Sequence, residues 1–409
     1  MTNKSLKKVK IYPSEKIVFQ DPVTGVPIYQ ITNWPANHSN LYYTKTSFIP
    51  NDQNKVIILS CRTGYSNLFL VSLEDGKIMQ LTDHKEDIFQ LSPCISPDGR
   101  YVYYSINNTI RSINLLTLKE DVIAEFPNGY AGHLSISKDG EFLLTQIKPG
   151  SHIRENIKKL FFCLKSLFKK ESSFWTTLCN LFLAVLSRYI PKNYQVVTIS
   201  TKEPFTIRVI KEVNTHGITL LSPNNEHILI HKFEREIWVC DLDGKNYRHL
   251  YGQGTEKWIT HPNWLSDDEI IAIDWPNGLI GINMKGEVRI ISQFNFRHPT
   301  VSPNRKLIVC DTTLPDTGIY AINPLNGEKK LLFHSKSSEQ KQWKKKTPPK
   351  KYKIFPFFVR EPVGSEWHHP HASFSPDGSK IIFNSTRGGK YSQVYIAEVG
   401  QILNNFMQS

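Results

Sequence analysis

The sequence predicts an all-β fold, a seven-bladed β-propeller carrying a helical insertion, and three observations lead to it. A turn of the form Ser-Pro-Asp-Gly, intact or decayed, recurs seven times; an apolar alternating run follows each copy; and the last repeat is one strand short while a lone strand stands near the other end of the chain.

The copies are Ile49-Pro50-Asn51-Asp52, Ser96-Pro97-Asp98-Gly99, Ser137-Lys138-Asp139-Gly140, Ser222-Pro223-Asn224-Asn225, Ser266-Asp267-Asp268-Glu269, Ser302-Pro303-Asn304-Arg305 and Ser375-Pro376-Asp377-Gly378. Proline at the second position fixes φ, and Asp, Asn or Gly then suits a tight turn. Runs such as Lys55 to Leu59, Tyr101 to Tyr104 and Lys380 to Phe383 follow and read as strands. A second strand ends in another polar turn, as at Leu73 to Gly76 or Leu242 to Gly244. The unit is a four-stranded meander of about 40 residues, which fits a propeller blade.

A ring of blades must close, or two sheet edges stay exposed. The last unit, Glu366 to Val399, holds three strands, and the strand Val26 to Ile31 is free to supply the fourth. One propeller over residues 1–400, closed by an N-terminal strand, is therefore expected. Two spacings exceed the repeat. Residues 148–192 read as two amphipathic helices, Ile153 to Lys169 and Phe174 to Ile190, basic on one side and apolar on the other. The first reading is a cap on one propeller face; the second is peripheral contact with a membrane surface through 153–190. Phe174 to Ile190 is too short and too polar to span a bilayer. Residues 335–358, with Lys341, Lys344, Lys345, Lys346, Lys350, Lys351 and Lys353, read as a solvated basic loop.

With 409 residues and 40% hydrophobic content the chain can bury the interior of such a ring. A formal net charge of +13 points to an acidic partner. The basic residues concentrate in the insertions without interleaved aromatics, which excludes a nucleic-acid stacking platform. Six cysteines without CxxC spacing suit buried free thiols, and the polar, basic start Met1 to Lys16 makes the cytoplasm the expected location.

The histidines carry the chemistry. His133, His216, His261, His298, His369 and His371 lie four to six residues before a copy of the turn, whereas chance would put fewer than one of 14 there. Side chains at that spacing converge from different blades on one end of the central channel. His133 and His216, each isolated, read as strand-capping or blade-bridging residues. In His369-Pro370-His371 two imidazoles at i and i+2 would share one side of an extended strand, and His298 comes from the neighbouring blade. With Glu366 three residues upstream of His369, this set suits a borderline divalent metal such as Mn, Fe or Zn. His368 should point away and reads as structural.

At this point the chain resembles a known family. Asn37-His38-Ser39-Asn40-Leu41-Tyr42-Tyr43, Gly76 to Thr82, Thr260-His261-Pro262-Asn263-Trp264, Arg297-His298-Pro299 and His369 to Asp377 look like the oligogalacturonate lyases, cytoplasmic seven-bladed propeller enzymes, in order over residues 20 to 400. The resemblance implies a manganese ion, or another divalent metal, held by His298, Glu366, His369 and His371, with glutamate standing where the family has glutamine. It implies His261 as catalytic base and an arginine two residues before a tryptophan. Glu236 occupies that position before Trp238, so Arg235 serves only if a bulge or loop restores its aim. Substrate contacts are expected from His38 and Lys45. The activity implied is β-elimination on short oligogalacturonates: imidazole takes the C5 proton and the C4–O bond breaks, releasing an unsaturated monouronate. The second reading is a non-catalytic TolB-like propeller acting as a binding or host-interaction module.

Overall fold

The computed structural model describes residues 9–127, 129–148, 194–214, 217–232, 235–252, 258–275, 277–312, 315–337 and 368–408. They form seven antiparallel sheets, the seven blades expected. The inner strands, from blade 1 to blade 7, lie at His38–Ser39 with Phe48–Ile49, Cys94–Ile95, Tyr130–Ile136, Gly217–Leu221, Trp258–Trp264, Phe296–Val301 and Ser373–Phe374.

The Ser-Pro-Asp turn closes because its serine does two things at once. Ser96 donates to Asp98 at 2.5 Å and accepts the backbone N–H of Tyr101 at 2.9 Å. Ser137, Ser222, Ser302 and Ser375 repeat both bonds with Asp or Asn two residues on. The fourth residue must turn left-handed. Gly99 does so at φ 69°, and Asn225 and Arg305 reach 63° and 59° without glycine.

Closure follows the predicted pairing. Pro27–Gln30 pairs with Gln393–Glu398 in blade 7, aligning Ile28 with Ala397. Two further edge strands were not read from the sequence: Ile17–Gln20 lies outside Pro27–Gln30, and Ile11–Tyr12 extends blade 1. A C-terminal helix, Gly400–Gln408, packs Leu403 on the core between blades 6 and 7.

Apolar residues gather into seven clusters, one at each contact between neighbouring blades. Each middle strand is therefore buried on both faces and reads as an unbroken apolar run, as in Val56 to Leu59. This leaves the channel axis free for polar side chains. The 153–190 helices, and the basic loop beyond residue 337, lie outside the described residues. Among the described residues, no helix is long and apolar enough to cross a membrane.

Because Ile28 is fully buried at the closing strand, Ile28→Ala should destabilise the protein by about 2–5 kcal/mol. Chemical denaturation should show this as a lower midpoint with an unchanged slope.

Candidate metal centre

The inner strands of blades 5, 6 and 7 share one irregularity. In blade 5 the register jumps between Thr260 and Asn263, so His261 and Pro262 together oppose a single residue, Ala272. In blade 6 it jumps between Arg297 and Thr300, across His298 and Pro299. Blade 7 repeats it, since Pro370 O accepts from Asn384 N while Ser373 pairs with Ile382, leaving His371 and Ala372 between. Each is a two-against-one β-bulge, and its first residue is histidine with φ of 51°, 44° and 45° respectively. That left-handed conformation costs each histidine on the order of 1–3 kcal/mol and turns its ring off the pleat into the channel.

The bulges bring four imidazoles into contact. Ring centroids of His298 lie 4.3 Å from His261, 4.4 Å from His371 and 5.3 Å from His369, and those of His369 and His371 are 5.5 Å apart. Side-chain nitrogens of His298, His369 and His371 lie within 4.8 Å of one another; His261 is not part of this set. One expected cause differs. His369 and His371 precede the strand Ser373–Phe374; left-handed backbone at His371, not extended alternation, turns the pair together.

His298 is held as a ligand would be. Its Nδ1 meets the Asp311 carboxylate at 2.8 and 3.0 Å, and Asp311 also accepts the His371 N–H at 3.2 Å. A donor bond from Nδ1 fixes the tautomer and leaves the Nε2 lone pair for a metal. Burial, reinforced by the neighbouring His261, His371, Arg297 and His369, holds the pKa of His298 well below its ordinary value, so the ring is neutral. Its buried Nε2 has no hydrogen-bond partner among the described residues. Nitrogens bound to one ion at about 2.0–2.1 Å lie no more than about 4 Å apart; closing the 4.8 Å set to that span is a rotamer-scale adjustment. Three buried imidazoles with a carboxylate behind one of them fit a divalent metal.

The floor of the site is the segment Leu41–Ser47, where the inner strand of blade 1 leaves its sheet and crosses the channel. Tyr43 is fully buried beneath the histidines, with its ring 5.3 Å from His298, 5.9 Å from His261 and 6.5 Å from His371. Lys45 donates to the carbonyls of Leu91 and Ser92, Thr44 meets His133 Nε2 at 3.0 Å, and Thr46 donates to Phe374 O. Below the floor the channel opens at the turn face as a cavity of about 790 Å³, with Lys45, Lys138, Trp264 and Arg305 in its walls.

The remaining predicted residues fall in different places. Lys45 belongs to the floor, and burial pulls its ammonium down to about 7. His38 is buried at the contact between blades 1 and 7; its Nε2 faces Trp34 O at 3.3 Å, and burial with the nearby Arg62 charge lowers its pKa to about 3. Arg235 is exposed in the turn joining His227–Lys232 to Glu236–Asp241. Glu236 accepts from Trp238 Nε1 at 2.8 Å, and Lys232 Nζ stands 3.6 Å above the Trp238 ring. Glu366 and His216 lie outside the described residues. His133 touches the floor through Thr44, the bridging role expected of it.

Two residues escaped the sequence reading. Asp311 carried a signal, a carboxylate closing the apolar run Leu307 to Cys310. Tyr43 carried none beyond its place in a quoted motif, because nothing local shows that a strand will leave its sheet.

No family model matches the chain. It is 24% identical over 414 residues to an oligogalacturonide lyase of Pectobacterium atrosepticum and 23% identical over 413 residues to an oligogalacturonate lyase of Dickeya dadantii, covering 93% of this chain and 95% of either relative. A solved oligogalacturonate lyase in complex with manganese superposes with a TM-score of 0.73 at 17% identity, covering 95% of this chain and 97% of that one. The oligogalacturonate lyase of Vibrio parahaemolyticus gives 0.72 at 17%, covering 96% and 99%.

If the bulge conformation is the constraint, glycine should suit it better than alanine. His261→Gly should be more stable than His261→Ala by about 1 kcal/mol, read from the difference in their denaturation midpoints.

Proposed function

We propose that this chain, a member of the oligogalacturonate lyase family, is a metal-dependent lyase that cleaves short oligogalacturonates by β-elimination to unsaturated monouronates. The observation that carries the reading is the set of three buried imidazoles beside a fourth, His261, which lies outside that set. Similarity to oligogalacturonate lyases over 93% of the chain supports it. His298, His369 and His371 hold the divalent metal, with Glu366 as a further oxygen ligand. We take the ion to be manganese, as in the solved complex of a relative.

A bound divalent metal supplies a Lewis acid that withdraws charge from a uronate carboxylate as the C5 proton leaves. Asp311 holds His298 in the ligand tautomer. His261, the least buried of the four rings at 9% exposure, faces the sugar and takes the proton at C5. The electron pair forms the C4–C5 double bond and expels the C4 oxygen, so no water is consumed. The family's arginine position holds Glu236, which Trp238 engages; we assign the pairing with substrate carboxylate to Arg235 at the same rim. Lys45 supports the floor that substrate meets, and His38, buried beside Trp34 O, is given no contact with substrate. The free thiols Cys61, Cys94, Cys240 and Cys310 suit a reducing compartment, and we place the protein in the cytoplasm.

The purified protein, supplied with manganese and short galacturonate, glucuronate and mannuronate oligomers, should release unsaturated monouronate from galacturonate. Inactivity on every oligomer with metal bound would transfer the reading to a binding module. Replacing His369 and His371 together by Ala should remove a stoichiometric divalent metal seen by elemental analysis while the fold persists, and Glu366→Gln should leave it bound. His261→Ala should keep the metal and lose at least roughly 10²-fold in turnover; a variant that keeps most of the activity would move the base elsewhere.

A further inference from the structure

A bulge leaves a backbone carbonyl without a ladder partner, and a buried carbonyl needs a donor. In this ring the donors form a series. Asn263, the residue after the blade 5 bulge, donates from Nδ2 to Pro299 O in the blade 6 bulge at 3.1 Å. Thr300, the residue after the blade 6 bulge, places Oγ1 2.7 Å from Ala372 O in the blade 7 bulge and 2.9 Å from Tyr43 O, so its single proton is shared. By the same rule blade 4 should supply a donor to Pro262 O in the blade 5 bulge. It does not, because its inner strand runs without a bulge from Gly217 to Leu221. The donor comes from the channel floor instead: the Tyr43 hydroxyl bonds Pro262 O at 3.1 Å.

We propose that Tyr43 is the positioning residue for the proposed base His261, its hydroxyl fixing the Pro262 carbonyl and hence the left-handed turn that aims the His261 ring. The assignment rests on the lyase reading. Three features support it beyond the bond itself. Tyr43 is buried to 1% exposure, so the bond has no competing water. Burial, followed by neighbouring Tyr42, raises the phenol's pKa well above its ordinary value and keeps it a donor. The residue's own backbone is fixed through Thr300, which ties the aim of His261 to the bulge that carries His371.

Tyr43→Phe removes the hydroxyl and leaves the ring. Measured on the full chain with manganese, it should lower kcat roughly 10- to 100-fold, as a misdirected group does, with KM changed less than about twofold and metal content unaltered. Imidazole resonances of the metal-free protein give a reading that needs no activity: the His261 signals should move in Tyr43→Phe while those of His298, His369 and His371 hold. Thr300→Val, which cuts the tie to the blade 7 bulge, should show the opposite signature, a weakened manganese affinity. Unchanged kcat and unchanged His261 signals would overturn the proposal, as would loss of metal from Tyr43→Phe. A melting midpoint lowered in proportion to the lost turnover would make Tyr43 a packing residue and overturn it too. If the parent cleaves no uronate, the lyase reading fails on its own, and the resonances still decide whether Tyr43 aims His261.

Discussion

Left-handed backbone at one repeated position is what the site depends on. Three consecutive inner strands bring four imidazoles to the channel, but a regular strand offers its side chains alternately to the two neighbouring blades. A two-against-one bulge breaks that alternation and sends a side chain along the channel. His261, His298 and His371 each stand first in such a bulge, with φ between 44° and 51°. Strain of this size is retained only where surrounding contacts determine it, and here those contacts run between blades: Asn263 to Pro299, Thr300 to Ala372 and Tyr43 to Pro262.

Blade 1 carries the same device at larger scale. Between Ser39, paired with Leu59, and Ser47, whose carbonyl receives the Ile57 N–H, seven residues leave the strand. They cross the channel and bond to blades 2, 3, 5, 6 and 7 through side chains or carbonyls. Since each blade contact has its own apolar cluster, the ring needs no central core. The excursion therefore adds little to the packing of the blades and much to the registration of the site, since it joins elements that otherwise meet only through their neighbours.

The fold was legible because the information sits in local chemistry. Serine, aspartate and glycine at fixed offsets specify a turn by bonds that span five residues, and seven such turns with apolar runs between them specify a propeller. The missing strand of the last unit was legible for the same reason: edge closure is a counting argument. The site was legible in part. Histidine spacing placed His298, His369 and His371 together, although the physical cause assigned to the last pair, extended alternation, is replaced by a left-handed turn at His371. Bulges escaped because a histidine gives no sign of its φ in the sequence, and the floor escaped because its contacts lie 46 to 328 residues away in sequence. Asp311 lay between these cases, a charge in an apolar strand whose partner only the ring identifies.

The same geometry gives four imidazoles of identical chemistry different surroundings. His298 is fully buried and backed by a carboxylate, and burial together with the neighbouring rings holds its pKa well below the ordinary value, which suits a ligand better than a base. His261 stands at the equivalent bulge one blade away, but the residue across the strand pair that corresponds to Asp311 is Ile273, by the registers Arg297 with Asp311 and Thr260 with Ile273. The carboxylate that fixes His298 is thus replaced by an apolar side chain at His261. The backbone of that bulge has a donor of its own, the tyrosine of the floor, whose hydroxyl bonds Pro262 O at 3.1 Å. One bulge motif, with Asp311 behind it in blade 6 and Tyr43 beneath it in blade 5, gives two imidazoles different surroundings, and the proposed function assigns the first to the metal and the second to the proton.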